Sequence, residues 1–353
     1  MNGRQARLTF QVGCAYVGTV VGAGFASGQE IFQFFGRYGL WAIVTIPASG
    51  VLFAWLGYRA LMLGSQLRAT SYREFTAHLF GKEIARWVDA ALLVMLFGVS
   101  VAMVAGAGEL FRQQLGLSFQ IGAVMTLCAA WWTIVRGMRG LLRANAVIVP
   151  IMITFLVWAA ARTALTDGWR PVVQTALSLS HRVPVGGAIV STIIYAAMNI
   201  GLAAGVLVPL GSAVQDLRVL RRGATFGALG LVVMQAAVIY VLLAHYPAIL
   251  TYPIPMAYAT SQFGHVVGVL FVFVLWAEIY TTLVGDIYAI TAPVAHRWRR
   301  SPGLVAGVFL GAAYACSQIG FANLIKYGYT TFGWVSLLLL IALAWPSRSS
   351  PIV

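Results

Sequence analysis

Ten apolar segments, at roughly 8–37, 40–64, 84–110, 118–137, 141–163, 185–212, 223–245, 264–294, 303–322 and 325–346, take up most of this 353-residue chain. At the helical rise of about 1.5 Å per residue, each is long enough to cross a hydrocarbon core of about 30 Å. Lipid offers the backbone no hydrogen bonds, so spans of this kind fold as helices. The expectation is an all-α polytopic membrane protein with the lipid bilayer as its surroundings. It forms a single transmembrane domain over residues 1–353.

The remaining composition fits that reading. Hydrophobic residues make up 60% and charged residues 9%, so no separate soluble domain is accommodated. The net charge of +14 would suit nucleic acid, but there is no Lys/Arg-rich arm and no nucleic-acid motif. The basic residues instead collect at segment ends. With the amino terminus in the cytoplasm, seventeen Lys and Arg fall inside and six outside, a positive-inside bias that also puts the carboxyl terminus inside. The localisation expected is the plasma (inner) membrane of a bacterium. Arg4 and Arg7 ahead of residues 8–21 resemble a signal peptide, but apolar sequence resumes directly through Phe35 and the orientation needs the segment retained. Cys14, Cys128 and Cys316 are odd in number and lie inside apolar segments, which argues against a disulfide framework or a clustered metal site.

One stretch in the first segment breaks the pattern: Gly22-Ala23-Gly24-Phe25-Ala26-Ser27-Gly28-Gln29-Glu30. Three glycines, a serine and a glutamate serve no purpose in a plain span. Non-helical backbone at bilayer depth survives only where protein buries it or it lines a cavity. A break here is expected to leave free carbonyls around Gly18 to Gly22 that attract a cation. Free N–H groups near Ser27 to Gln29 attract an anion. Ser27 and Glu30 also fit a Ser-x-x-Glu capping box, so Glu30 has two candidate roles, structural cap and proton coupling.

The sixth segment carries a second set of break signals, with Asn199, Gly201, Gly205, Pro209 and Gly211 interrupting the apolar run after Tyr195. A shift of 183 residues lays Gly18, Gly22 and Gly28 on Gly201, Gly205 and Gly211. First and sixth are corresponding members of two five-helix halves, about 8–163 and 185–346. Five spans is an odd number, so the second half enters from the opposite side as an inverted repeat. Paired interrupted segments of that kind point to a transporter binding site. Helices one and six are expected to break at the midplane, with Tyr16, Tyr195 and Asn199 flanking the breaks.

The eighth segment adds charge and hydroxyls. Glu278, Thr281, Thr282, Gly285 and Asp286 share one helical face, spaced i, i+3, i+4, i+7 and i+8. An ionisable group inside the membrane is a functional candidate by default, and hard cations prefer oxygen ligands. Threonines that bond their own helix are the alternative. Asp89 is expected to pair with Arg86, and Glu109 with Arg112. The Pro- and Tyr-rich connection from His245 to Pro255 has the composition of a lid. No P-loop, dinucleotide fingerprint or zinc-helix signature is present, so an intramembrane enzyme is the weakest of the function classes.

Val17-Gly18-Thr19-Val20-Val21-Gly22-Ala23-Gly24-Phe25-Ala26-Ser27-Gly28-Gln29-Glu30, with Phe34-Phe35 and Tyr38-Gly39, resembles the signature of the YkvI-type bacterial membrane proteins. That group looks like a branch of the amino acid–polyamine–organocation superfamily. The resemblance implies the five-plus-five fold of the leucine transporter. Beside that resemblance, the break itself makes Gly22, Ala23, Gly24, Phe25, Ser27 and Gly28 the candidates for substrate contact, with Tyr16, Tyr195 and Asn199 flanking. In sodium-coupled members the ion is held by carbonyls of the first-span break and hydroxyls of the eighth, here Gly22 and Phe25 with Thr281 and Thr282. Glu278 and Glu30 are the candidates for coupling by a proton. The function expected is secondary active transport of an amino acid or similar small organic solute, with no cofactor beyond possible Na⁺. The rival is a membrane ligand sensor, like germinant-receptor subunits, that keeps the pocket without transporting.

Overall fold

A computed structural model describes residues 3–69, 71–136 and 141–344. Residue 137 of the fourth expected segment and 345–346 of the tenth therefore lie outside the described residues. Among the described residues all regular structure is helical. The chain opens with α1 (Gly3–Val20), α2 (Ala23–Ala26), α3 (Gln29–Phe34) and a 3₁₀ turn, Gly36–Trp41. Long helices follow: α4 (Ala42–Leu67), α5 (Tyr72–Leu115), α6 (Phe119–Arg136) and α7 (Leu141–Thr166). A short α8 (Arg170–Ser180) leads into α9 (Val185–Val214) and α10 (Leu217–Ala244). After a second 3₁₀ turn at Ala248–Thr251 come α11 (Pro255–Ser261), α12 (His265–Trp298) and α13 (Pro302–Ser317). A turn of α14 (Phe321–Asn323), a π-turn at Leu324–Tyr329 and α15 (Thr330–Ala344) complete the described chain.

Eight of these helical stretches are long and apolar enough to cross a membrane, and they correspond to the second through eighth and the tenth expected segments. The first fails because α1 begins with charged residues and stops at Val20. The ninth, Pro302–Ser317, has 16 residues and so reaches only about 24 Å.

Packing relates the helices in matched pairs. α1 packs along α10, and α9 along α4. The first pair runs parallel, because Gly13 lies against Phe226 while Gly230 lies against Val17. The second does too: the Phe53 and Tyr195 rings meet near one end, and Gly211 meets the Leu61 carbonyl near the other. α1 also touches α7 as α9 touches α15, and α5 crosses α12. Small residues permit these close approaches. Gly64 sits on the Val208 carbonyl as Gly211 sits on that of Leu61, leaving no room for a Cβ on either.

The break expected in the sixth segment is absent: α9 runs unbroken from Val185 to Val214. Glycine permits non-helical backbone without requiring it. Here the glycines serve contact instead, Gly201 against Ser336 of α15 and Gly211 against α4. The Asn199 amide, a candidate for flanking a break, donates to the Tyr195 carbonyl of its own helix at 3.0 Å. Pro209 lacks an N–H and so leaves the Gly205 carbonyl without its helical donor, but the helix continues through it.

Candidate functional site

The first segment does break. α1 stops at Val20, Gly22 is extended (φ −136°, ψ −166°), and helix resumes at Ala23. The amino end of the outer piece therefore lies at Gly22 to Phe25, several residues before the Ser27–Gln29 region the sequence suggested. Ala26 N–H and Ser27 N–H bond back to Gly22 and Ala23 at 2.9 Å, so the N–H groups of Ala23, Gly24 and Phe25 precede any helical acceptor. That of Ala23 points at Met103 Sδ of α5, 3.3 Å away. Gly28 then takes a left-handed conformation (φ 84°), which glycine adopts without strain, and turns the chain into α3.

Glu30 is not a helix cap. Gly28 occupies the N-cap position of α3, and the Ser27 hydroxyl donates to Gly24 O at 3.0 Å. A capping box needs Glu30 to accept from Ser27 N–H, but that group is already bonded to Ala23 O. The carboxyl of Glu30 instead folds over Gly24: a Cβ on that glycine would lie 2.6 Å from Glu30 Oε2. Asn199 and Tyr195 lie near the same carboxyl, whose Oε1 is buried without a hydrogen-bond partner among the described residues. The Tyr195 hydroxyl in turn accepts from Gln235 Nε2 at 3.3 Å, and Gln235 Oε1 accepts from Ser49 at 3.0 Å. Ser49, Gln235 and Tyr195 thus form a buried hydrogen-bonded relay that ends beside Glu30. The rings of Phe34, Phe35 and Phe53 wall Tyr195 in at 4.9 to 5.8 Å between centroids.

On the other edge of the break, α12 presents its polar face. The Thr282 hydroxyl reaches across to Val21 O at 3.1 Å, and the Thr281 hydroxyl bonds Glu278 O of its own helix at 3.2 Å. The carbonyls of Gly22 and Phe25, suggested by resemblance as ion ligands, accept from Ala26 and Gly28 N–H within the outer piece. The carbonyl that meets α12 is that of Val21. Glu278 is fully buried, and neither of its carboxyl oxygens has a hydrogen-bond partner among the described residues. Tyr16 is not brought to the break; its hydroxyl donates to Phe53 O at 2.8 Å and its ring packs on Gly57 and Gly227. Glu109 does pair with Arg112, at 2.7 Å. Asp89 instead accepts from Thr76, while Arg86 pairs with Glu83.

The Pro-rich connection covers the outer piece. Met256 N–H donates to Ser27 O at 2.9 Å, and Gln29 Nε2 donates to Tyr252 O at 3.3 Å. Gln113 of α5 clamps it, donating to Ile254 O and accepting from Ile254 N–H, both at 3.0 Å. Two such bonds contribute about 1–3 kcal/mol together. Gln113→Ala is therefore expected to speed amide hydrogen exchange at Ile254 to Ala257 about tenfold or more. Unchanged protection would mean that Met256, wedged against Gly28, holds the segment by packing alone.

Gln235, Ser49, Met103 and Gln113 escaped the sequence reading, which weighed acids first. The available signal was a polar amide in an apolar run: Gln235 is the one such residue between Gly223 and Ala244.

The fold has solved counterparts. It matches MhsT in complex with L-phenylalanine at a TM-score of 0.71, covering 95% of this chain and 88% of that one at 15% identity. It matches Mhp1, a nucleobase-cation-symport-1 family transporter with bromovinylhydantoin bound, at a TM-score of 0.57, covering 92% and 74% at 10% identity. At those identities the likeness defines the fold, and this is a membrane protein with the leucine-transporter architecture. No family model matches the chain. Its sequence is 33% identical over 333 residues to the uncharacterized membrane protein YkvI of Bacillus subtilis (strain 168), covering 94% of each chain. The chain belongs to the YkvI family.

Proposed function

We propose that the protein is a secondary active transporter of an amino acid or similar small organic solute, driven by Na⁺ or H⁺ and working by alternating access. It sits in the inner membrane of a bacterium with both termini cytoplasmic. The observation that carries the reading is the interrupted first helix, with α12 bonded to one edge and Glu30 folded over the other. The carbonyl edge at Val21 suits a cation, while the N–H edge at Ala23 to Phe25 suits a carboxylate. Glu30 beside that edge suits an ammonium group. A zwitterionic amino acid carries both charges a few ångströms apart. The bound L-phenylalanine of MhsT is consistent with that substrate class.

The paired packing supports a ten-span arrangement of two inverted five-helix repeats. Exchanging each helix of the first half for its counterpart turns the α1–α10 contact into the α9–α4 contact, and α1–α7 into α9–α15. α1 to α3 then make the first span and α13 the ninth. In this reading one repeat rocks against the other around a fixed site.

The test is uptake by proteoliposomes of the purified protein across an amino-acid panel, under an imposed Na⁺ or H⁺ gradient. No gradient-driven uptake of any solute would overturn the proposal, and binding without uptake would select a sensor. For the ion, Thr282→Val keeps shape but removes the hydroxyl at Val21. If sodium is the coupling ion, apparent sodium affinity in a thermal-shift titration should fall about tenfold or more, since contacts to a charge contribute about 1.5–3 kcal/mol. Sodium dependence that survives the change would move coupling to Glu278 or Glu30.

A further inference from the structure

The start of α10 carries a feature that substrate transport does not use. Arg218, Arg221, Arg222, Thr225, Phe226 and Leu229 fall on one helical stripe, and all six are exposed. They line a groove with about 480 Å³ of space. The stripe is ordered along the helix: guanidinium groups at the end, then a hydroxyl, then an aromatic ring and a leucine farther into the apolar span. Phe226 and Leu229 are 45% and 63% exposed, and Phe10 of α1 lies against Phe226 at 5.8 Å between ring centroids.

A second, more polar hollow of about 150 Å³ adjoins the groove, sharing Arg218 and Arg222 with it and adding Gln5, Thr9 and Val219. Thr9 Oγ1 is buried there with no hydrogen-bond partner among the described residues. A hydroxyl of that kind is a donor awaiting an acceptor. The nearby acid, Asp216, is committed as the cap of α10: it accepts from Arg218 and Val219 N–H, and from the Gln5 amide at 3.4 Å. Neither Arg218 nor Arg221 forms an ion pair among the described residues.

We infer that this stripe is a binding site for an anionic phospholipid, with the headgroup phosphate on Arg218, Arg221 and Arg222 and one acyl chain along Phe226 and Leu229. Basic hollows between membrane helices recognise such headgroups, and arginine's fork of donors matches a phosphate. The continuous run from guanidinium to exposed apolar side chains selects a lipid over a soluble anion, which would gain nothing from Phe226 and Leu229. Because α1 packs along α10 at this point, an occupied site bridges the inner piece of the first helix to its neighbour. The inference does not depend on what the protein transports.

The experiment is thermal unfolding of the full chain in nanodiscs of phosphatidylcholine with and without phosphatidylglycerol, and in detergent with inorganic phosphate. Phosphatidylglycerol should raise the Tm by several degrees, with apparent affinity on the order of tenfold above that for phosphatidylcholine. Inorganic phosphate alone should have no such effect. Arg218→Gln/Arg221→Gln should lose most of the increment while its Tm in pure phosphatidylcholine is unchanged. Arg221→Gln alone, at an exposed position, should lose part of it and covers the case in which the double variant does not fold. Arg299→Gln/Arg300→Gln should keep it. An equal shift with inorganic phosphate, an increment that survives the stripe variants, or an equal loss in the Arg299/Arg300 control would each overturn the assignment.

Discussion

Gly24→Val is expected to abolish gradient-driven uptake while leaving the helical fold in place. A Cβ on Gly24 would lie 2.6 Å from Glu30 Oε2, 2.9 Å from Ile325 Cδ1 and 3.1 Å from Tyr329 Cε2, all buried side chains. Contacts that short force something to move, and overpacking of this sort costs about 1–3 kcal/mol. That is tolerable for the fold, which is held by helix packing far from this point. It is not tolerable for the site, because the group displaced first is the Glu30 carboxyl, the nearest atom to the added Cβ. A shift of about 1 Å in a positioned group suffices to remove most of its function. Gly205→Ala is the control. Nothing lies within 4 Å of a Cβ there, and alanine in a helix interior is favoured over glycine by about 1 kcal/mol, so uptake should persist with equal or higher stability. Wild-type uptake by Gly24→Val would show that substrate does not bind at the break.

The contrast between those two glycines also explains what the sequence could and could not reveal. The helical character of the segments was legible, eight of them as helices long and apolar enough to span, because lipid imposes one rule on every span, namely internal satisfaction of the backbone. The first break was legible because Gly22, Gly24, Ser27, Gly28 and Glu30 stack several improbable choices within nine residues. The sixth segment presented the same letters for a different reason. Gly201 and Gly211 admit a neighbouring helix, and composition alone does not distinguish a glycine that bends a chain from one that lets another chain approach. The capping box failed in the same way. Ser27-x-x-Glu30 is a local pattern, and tertiary partners decided otherwise: Ser27 turned back to Gly24 and Glu30 turned to Tyr195 and Asn199. Conversely, the polar face of the eighth segment was found by spacing alone, and Thr282 does reach the break. The relay through Gln235 and Ser49 needed α4, α9 and α10 in one place, which spacing within a single segment cannot supply.

Replacing Glu278 with leucine should make the protein more stable and stop coupled transport. Glu278 has no exposed surface, and both carboxyl oxygens lack partners among the described residues. A buried polar group left unpaired costs about 1–3 kcal/mol, and an apolar side chain of similar volume removes that cost. The expected result is therefore a higher Tm in detergent together with uptake at background. A carboxyl retained against its own cost to stability belongs to the working cycle, where it meets a cation or a proton that arrives with the gradient. Glu278→Gln separates charge from shape. It keeps the volume and the polarity, and it should also abolish gradient-driven accumulation, while substrate exchange at equal concentrations, which needs no net movement of the ion, should survive better. If Glu278→Leu lowers the Tm sharply and uptake persists, the carboxyl is structural, and coupling must rest on the hydroxyl of Thr282 at Val21 or on Glu30. The two variants thus decide between a charge that drives transport and one that merely packs, on the same helical face that closes the break.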